Sequence, residues 1–306
     1  MATEQDGLFL QQFVEPQLLE DFRNYRDDFL GVLKGANPGA IDKDGIRFNK
    51  LVNNVGFKVN ATVDFEPLAM PGKKTLVEWD KLDTTPTSYT DAELRAMAFD
   101  KESALRVEHT NSFRIGVRDY VLNKLAPTSN VDNKMPVIRT TGATYNGRKR
   151  LTYEDLINFY ERLDPLNLAD NKGFHMILSE QHRSDIIADR AATSNYRDVE
   201  IDKETGELKR FFKLNFFENN STPVYNAAGT LKSIGAVAAA GDQRASVFIY
   251  APNTVYHIES VQVLFTAMKN DVISPDPKAM MRLHTYGLCD KKQNHGFGAI
   301  ISGNPA

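Results

Sequence analysis

The stretch "YTDAELRAMAFDKESALRVEHTNSFRIGVRDYVLNKLAP", Tyr89 to Pro127, decides how the rest of the chain is read. From Asp91 to Leu125 it contains no proline and one glycine, Gly116. As a single helix rising ~1.5 Å per residue, it would run about 50 Å. An average soluble helix has only about 11 or 12 residues. Its start is signed by Thr90 with Glu93 three residues on, a capping box, and its end by Ala126-Pro127, since a residue before proline avoids helical geometry. Apolar residues gather at the two ends: Leu94, Met97, Ala98, Phe99 and Leu105, then Ile115, Tyr120, Val121, Leu122 and Leu125. The middle, "RVEHTNS", is polar, so the alternative is two helices broken near Thr110.

Working outward toward the N-terminus, "VGFKVNATVDF" alternates strictly. Val55, Phe57, Val59, Ala61, Val63 and Phe65 fall on one face, with polar residues or glycine between them. That predicts a one-sided strand of roughly 35 Å. "EPLAMPGKK" supplies a reversal, and "TLVEWDKL" returns with Val77 and Trp79 on one face and Leu76 and Leu82 on the other. A long two-stranded hairpin is expected. Further upstream, "EPQLLEDFRNYRDDFLGVLKG" reads as an amphipathic helix with Leu18, Leu19, Phe22, Phe29, Leu30 and Leu33 on one broad face. Asp42 and Asp44 before Gly45 lack the remaining ligands of a calcium loop and read as a turn.

Beyond residue 150 the elements become short and alternate. "LTYEDLINFYERLD" carries a second capping box, Thr152 with Asp155, ahead of a helical face of Leu156, Ile157, Tyr160 and Leu163. "FHMIL" predicts a buried strand, followed by a helix from Ser179 through Ala188. "ELKRFFKLNFFEN", "ASVFIYA", "TVYHIESVQVLFT", "DPKAMMRLHTYGL" and "GAIIS" read as further strands.

Composition excludes several classes. The chain has 306 residues, 37 basic against 40 acidic side chains and a net charge of −3. A protein that grips nucleic acid by its phosphates shows a basic excess or stripe. The best cluster here, "NGRKR" at Asn146–Arg150, reads as a solvated turn. No apolar run approaches the ~20 residues of a membrane span, and "MATEQDGLF" lacks the features of a secretion signal. The single cysteine, Cys289, permits no internal disulfide or thiolate zinc cluster and reads as a buried apolar residue.

Reaction chemistry is not legible. Phosphate-binding glycine loops, a nucleophile elbow and a zinc-protease motif are all missing from the sequence. "SEQHRSD" spaces Ser179, His182 and Asp185 three apart, but a hydrolase triad needs its serine on a strained turn with oxyanion donors, so helix capping with an exposed face is the reading. His175 reads as a satisfied strand histidine. No catalytic, cofactor or metal residue is assigned.

The hairpin itself makes a demand. A lone two-stranded hairpin is marginal in water. The row Val55–Phe65 presents about 500 Å² of side chain, and leaving it wet forfeits on the order of 10 kcal/mol. That rivals the stability of a whole domain, about 5–15 kcal/mol. Other copies of the same chain are the simplest cover, through repeated heterologous contacts that close into a ring or shell. The residues expected at such contacts are Phe22, Phe29, Val59, Val63, Phe65, Lys73, Lys74 and Trp79.

The order of these segments resembles the HK97-type major capsid proteins of tailed bacteriophages, an α+β fold. The likeness lies in layout and texture along nearly the whole chain, with no single diagnostic motif. It implies an N-terminal arm at 1–45, an extended β-hairpin loop at 46–90 and a spine helix at 91–126. It further implies a peripheral domain at 127–150 plus 255–306, closing on "MMRLHTYGLCDKKQNHGFGAIISG", and an axial domain at 151–254. The implied function is structural: pentamers and hexamers in an icosahedral virion shell around double-stranded DNA contacted non-specifically. Assembly would occur in the host cytoplasm, with portal and scaffold proteins as partners and no membrane or cofactor. Some relatives seal the shell with a lysine–asparagine bond, for which Lys73 and Lys74, near the expected loop tip, are the lysines to consider. The arm begins close to Met1, which favours a separate scaffold or none. Encapsulins, which share the fold and enclose enzymes, are the alternative, and an α/β enzyme is the more distant one.

Overall fold

The computed structural model describes residues 26–51, 59–60, 72–96, 101–169, 171–193, 198–202 and 204–305. After a 3-10 turn at Asp28–Val32, the chain forms β1 (Ile41–Asp42), β2 (Gly45–Leu51), β3 (Gly72–Glu78), β4 (Asp80–Asp83) and β5 (Thr87–Thr90). Helices α1 (Asp91–Ala96) and α2 (Lys101–Leu125) follow, then β6 (Val137–Arg139), β7 (Thr144–Tyr145), β8 (Arg148–Lys149) and α3 (Tyr153–Glu161). Next come β9 (Phe174–Ser179), α4 (Glu180–Thr193), β10 (Val199–Ile201), β11 (Leu208–Phe211), β12 (Leu214–Asn219) and β13 (Val224–Tyr225). The last strands are β14 (Gln243–Tyr250), β15 (Thr254–Ile258), β16 (Gln262–Thr266), β17 (Lys278–Lys291) and β18 (Phe297–Ile301).

Two sheets carry the body. The larger runs β10-β11-β12-β9-β14-β18-β6, with β13 added on β14; β9 is parallel to β12, and β18 to β6. Its central strand β9 is buried at every position. It is covered on both faces, which requires an unbroken apolar run rather than alternation. Met176 and Leu178 face α3 and α4, packing with Leu156, Phe159, Leu163 and Ile186. Ile177, together with Val247, Ile249 and Phe297, faces Val117, Val121, Leu122 and Leu125 of α2.

The second sheet is built on β17. β15 and β16 lie end to end along one side of it, and β4 and β5 along the other. Cys289 of β17 belongs to the same core as Val117, Tyr120 and Val121. The C-terminal half of α2 is therefore packed between the two sheets and joins them. Lys291 closes its last turn by donating to the carbonyls of Lys124 (2.7 Å) and Ala126 (2.9 Å), satisfying acceptors a helix end leaves open.

Several expectations change. The capping boxes are both formed, Thr90 with Glu93 and Thr152 with Asp155. α2 passes unbroken through Thr110, and the only interval between the two helices, 97–100, lies outside the described residues. The hairpin's first strand is β2, beginning at Gly45 rather than Val55: β2 pairs antiparallel with β3 from Gly45↔Glu78 to Leu51↔Gly72. Residues 55–58 and 61–65 lie outside the described residues, while Val59 and Asn60 form a bend with Asn60 at φ +51°, not continuous strand. Phe29 and Leu30 sit in a 3-10 turn preceded by Arg26 at φ +48°, so no helix runs unbroken from 18 to 33.

The returning strand leaves the ladder at Trp79 and changes sheets: Val77 pairs in the ribbon, whereas Lys81 and Leu82 pair with β17. "TVYHIESVQVLFT" divides into β15 and β16 at Glu259–Val261. Sheet membership also redraws the domain reading. β6 and β18, grouped by sequence with 255–291, hydrogen-bond into the larger sheet beside β14. The apolar run of "FGAII" is buried on both faces there, which is why it reads like a core strand.

Candidate functional site

Among the described residues, three places stand out for their chemistry or bare apolar surface. The first is buried. Ser179, His182 and Asp185 are each at most 2% exposed, so the expected exposed face is corrected. Ser179 does cap α4, accepting from the His182 backbone N–H at 3.2 Å. The imidazole of His182 bridges β14 and β18, with Nδ1 2.7 Å from Ser246 Oγ and Nε2 2.9 Å from Ser302 Oγ. Burial holds it down to about 4, so it is neutral and fits between two hydroxyls as one donor and one acceptor. Asp185 is saturated by Arg148 (2.5 and 2.9 Å) and the Leu151 backbone N–H (3.0 Å). Ser179, Ser246 and Ser302 are buried, and the cluster ties α4 and the β7–β8 hairpin to the sheet. Arg148, taken from sequence for part of a solvated turn, is buried within it. His175 stands in β9 as expected, but its Nδ1 has no hydrogen-bond partner among the described residues.

The second place is the junction between the ribbon and α2. His109 joins α2 to both ends of the β4–β5 connection, 2.7 Å from Thr84 Oγ1 through Nδ1 and 2.7 Å from Thr87 Oγ1 through Nε2. Burial lowers its affinity for a proton. One strand earlier, Asp80 accepts from Tyr120 Oη at 2.5 Å and pairs with Lys124 at 2.7 Å. Burial raises the Asp80 carboxyl, but the Lys124 and Tyr120 bonds outweigh it and hold it below its ordinary value. Between these two polar ties runs a groove of about 550 Å³, lined by Leu82, Leu105, Phe113, Val117 and Ile234 among others.

The third is the outer part of the β17 sheet. β16 is exposed along its whole length although its sequence is "QVLFT". Val263, Leu264 and Phe265 are bare, as are Met280 and Tyr286 on β17 and Val272 and Ile273 in the loop between the strands.

The expected contact residues that are described stand in different elements. Phe29 is wholly buried against α2 in its own core and cannot reach a neighbour. Trp79 is half-buried over the ribbon base, donating from Nε1 to the Asp42 carbonyl at 3.2 Å and meeting His257 edge-on. Val59 is 72% exposed. Lys73 and Lys74 stand in the ladder opposite Lys50 and Asn49, and residues 52–58 and 61–71 between the two strands lie outside the described residues. Phe22, Val63 and Phe65 lie outside the described residues. Sequence reading missed β2, and it missed the exposed surface of β16 and of the 267–277 loop. The signal was present in "QVLFT" and "NDVISPDP", where aliphatics stand with no charge in the strand and inside a turn.

No protein-family model matches the sequence, and no curated protein does. Solved structures do match its fold. The capsid of the cyanophage P-SCSP1u superposes with a TM-score of 0.66 at 12% identity, covering 98% of this chain and 94% of that one. The capsid asymmetric unit of cyanophage Pam1 gives 0.66 at 11%, covering 96% and 97%. The capsid of an empty GTA particle gives 0.61 at 14%, covering 99% and 98%. At such identities the agreement lies in the path of the chain rather than in side chains: this chain has the α+β, HK97-like fold of phage capsid proteins.

Proposed function

We propose that this chain is the major capsid protein of a tailed bacteriophage, self-assembling into the icosahedral head shell that encloses double-stranded DNA. The observation that carries the reading is the two-way coverage of the fold, 98% of this chain and 94% of a phage capsid chain. Supporting it, the buried histidine–serine and arginine–aspartate groups are satisfied by one another, as structural groups are. The bare strip along β16 is the kind of surface that a partner covers. The role is architectural rather than enzymatic. A net charge of −3 suits a wall that lies against packaged DNA without gripping its phosphates. Portal and scaffold proteins are the further partners, the virion is the destination, and the host cytoplasm is the place of assembly.

Electron microscopy of the purified, expressed chain tests this. Closed shells of uniform diameter are expected, and a species that remains monomeric or dimeric under all assembly conditions would refute it. Particles recovered from the native source filled with enzyme cargo and free of DNA would favour the encapsulin alternative.

A further inference from the structure

The turn that joins β7 to β8 carries the one asparagine of this chain that is followed by glycine, Asn146-Gly147. Both residues are exposed. Both are left-handed, at φ +48° and φ +73°, as in the two-residue hairpin loops that favour this pair. Gly147 stands between the ladder partners Tyr145 and Arg148 rather than in the ladder. Neither its N–H nor the Asn146 side-chain amide has a hydrogen-bond partner among the described residues. Nothing lies within 4 Å of the point where a Cβ on Gly147 would project, so no neighbour crowds this backbone. The chemically related pair Asp44-Gly45 is held differently. Gly45 is itself a ladder residue, paired with Asp42 and Glu78, and a Cβ there would stand 2.0 Å from the Val77 carbonyl oxygen.

An asparagine in this setting can be attacked by its own backbone. The Gly147 nitrogen gives its proton to water and bonds to Asn146 Cγ, and the Cγ–Nδ2 bond breaks, releasing ammonia and leaving a five-membered succinimide. Water then opens the ring at either carbonyl, giving aspartate or isoaspartate; nothing is oxidised or reduced. Glycine leaves its nitrogen open to this approach because it has no side chain. The turn must open for the ring to close, and such opening costs little at an exposed loop tip. The Arg150 guanidinium, 4.0 Å from the centre of the Tyr145 ring, stands beside the turn, and a nearby cation favours the oxyanion through which the ring forms. The product matters because of what the hairpin holds. Arg148 is buried and bonded to Asp185 of α4, and the Lys149 N–H donates to the Gly303 carbonyl at 2.7 Å. Isoaspartate puts one extra carbon into the backbone between Tyr145 and Gly147, so the turn no longer matches the Tyr145↔Arg148 pair.

We propose that Asn146 is a site of spontaneous deamidation, water entering and ammonia leaving, and that its isoaspartyl product loosens the hairpin that clamps α4. The proposal does not depend on the shell reading. Ageing the purified full chain at pH 8 tests it. The tryptic peptide 140–148 contains Asn146 as its single asparagine. Its conversion to the acid form, followed by mass spectrometry, should be at least tenfold faster than the average over the other asparagines and slower at pH 6. Methyl transfer from S-adenosylmethionine by an isoaspartyl methyltransferase should label the same peptide. Hydrogen exchange across 144–150 should rise in the aged wild type and stay low in aged Asn146→Gln. Freshly purified Asn146→Asp, which has the charge without the extra carbon, should exchange like fresh wild type. Conversion no faster at Asn146 than elsewhere overturns the site. Conversion with unchanged exchange, or raised exchange in fresh Asn146→Asp, overturns the isoaspartyl loosening.

Discussion

His182 shows how one buried side chain sets a property of the whole subunit. Its folded value is about 4, against about 6.5 for an unfolded histidine. Between those values the unfolded chain takes up a proton that the folded chain refuses. Stability therefore rises with pH across that window, and the contribution is fully present above about 6.5 and lost by about 4. The window is worth on the order of 3 kcal/mol. Urea melts of unassembled protein at pH 4.5 and pH 7 should differ by a large part of that amount. His182→Gln should shrink the difference, and an unchanged pH slope in the variant would show that the stability loss comes from other groups. Sequence alone placed this histidine on an exposed helix face. The residues that bury it, Ser246 and Ser302, are 64 and 120 positions away, and no local pattern encodes such a meeting.

At the scale of elements, the two sheets depend on backbone choices that glycines expose. Gly45 opens β2 at φ +135°, and a Cβ there would stand 2.0 Å from the Val77 carbonyl oxygen. Gly45→Ala is expected to unseat the base of the ribbon, seen as accelerated hydrogen exchange of the β2 and β3 amides with α2 still protected. Gly116 is the opposite case. It lies within α2, its Cβ position is open, and alanine is better than glycine in a helix interior by about 1 kcal/mol. Gly116→Ala should raise the melting temperature of the unassembled subunit. A fall would mean that the groove beside it needs the missing methyl. Helices α1 and α2 were legible because helix propensity, the Thr90–Glu93 box ahead of α1 and the proline stop after α2 agree. β2 was not, because "GIRFNKL" carries few alternating apolar residues and owes its strand geometry to the β3 ladder.

For the molecule as a whole, the subunit leaves apolar surface open at the β16 edge, the 267–277 loop and the groove against α2. If sister copies cover them, assembly stabilises only the folded chain, by mass action. Calorimetry should then show assembled particles melting well above free subunits, with the free subunit's transition independent of protein concentration. Coincident transitions would mean that the contacts contribute nothing to the fold.

The sequence by itself determined where the helical stretch after Thr90 begins and where it stops before Pro127, and most of the strand and helix pattern after residue 150. These follow from local propensity and periodicity, which neighbours in sequence suffice to express. Only the tertiary structure decided that β18 and β6 join the larger sheet, that the ribbon starts at Gly45, and that Phe29 is spent on its own core. It also decided which apolar residues remain bare. Pairing partners and burial depend on what the fold brings alongside from far away in the chain, and an alternating pattern says which residues share a face without saying what will lie against it.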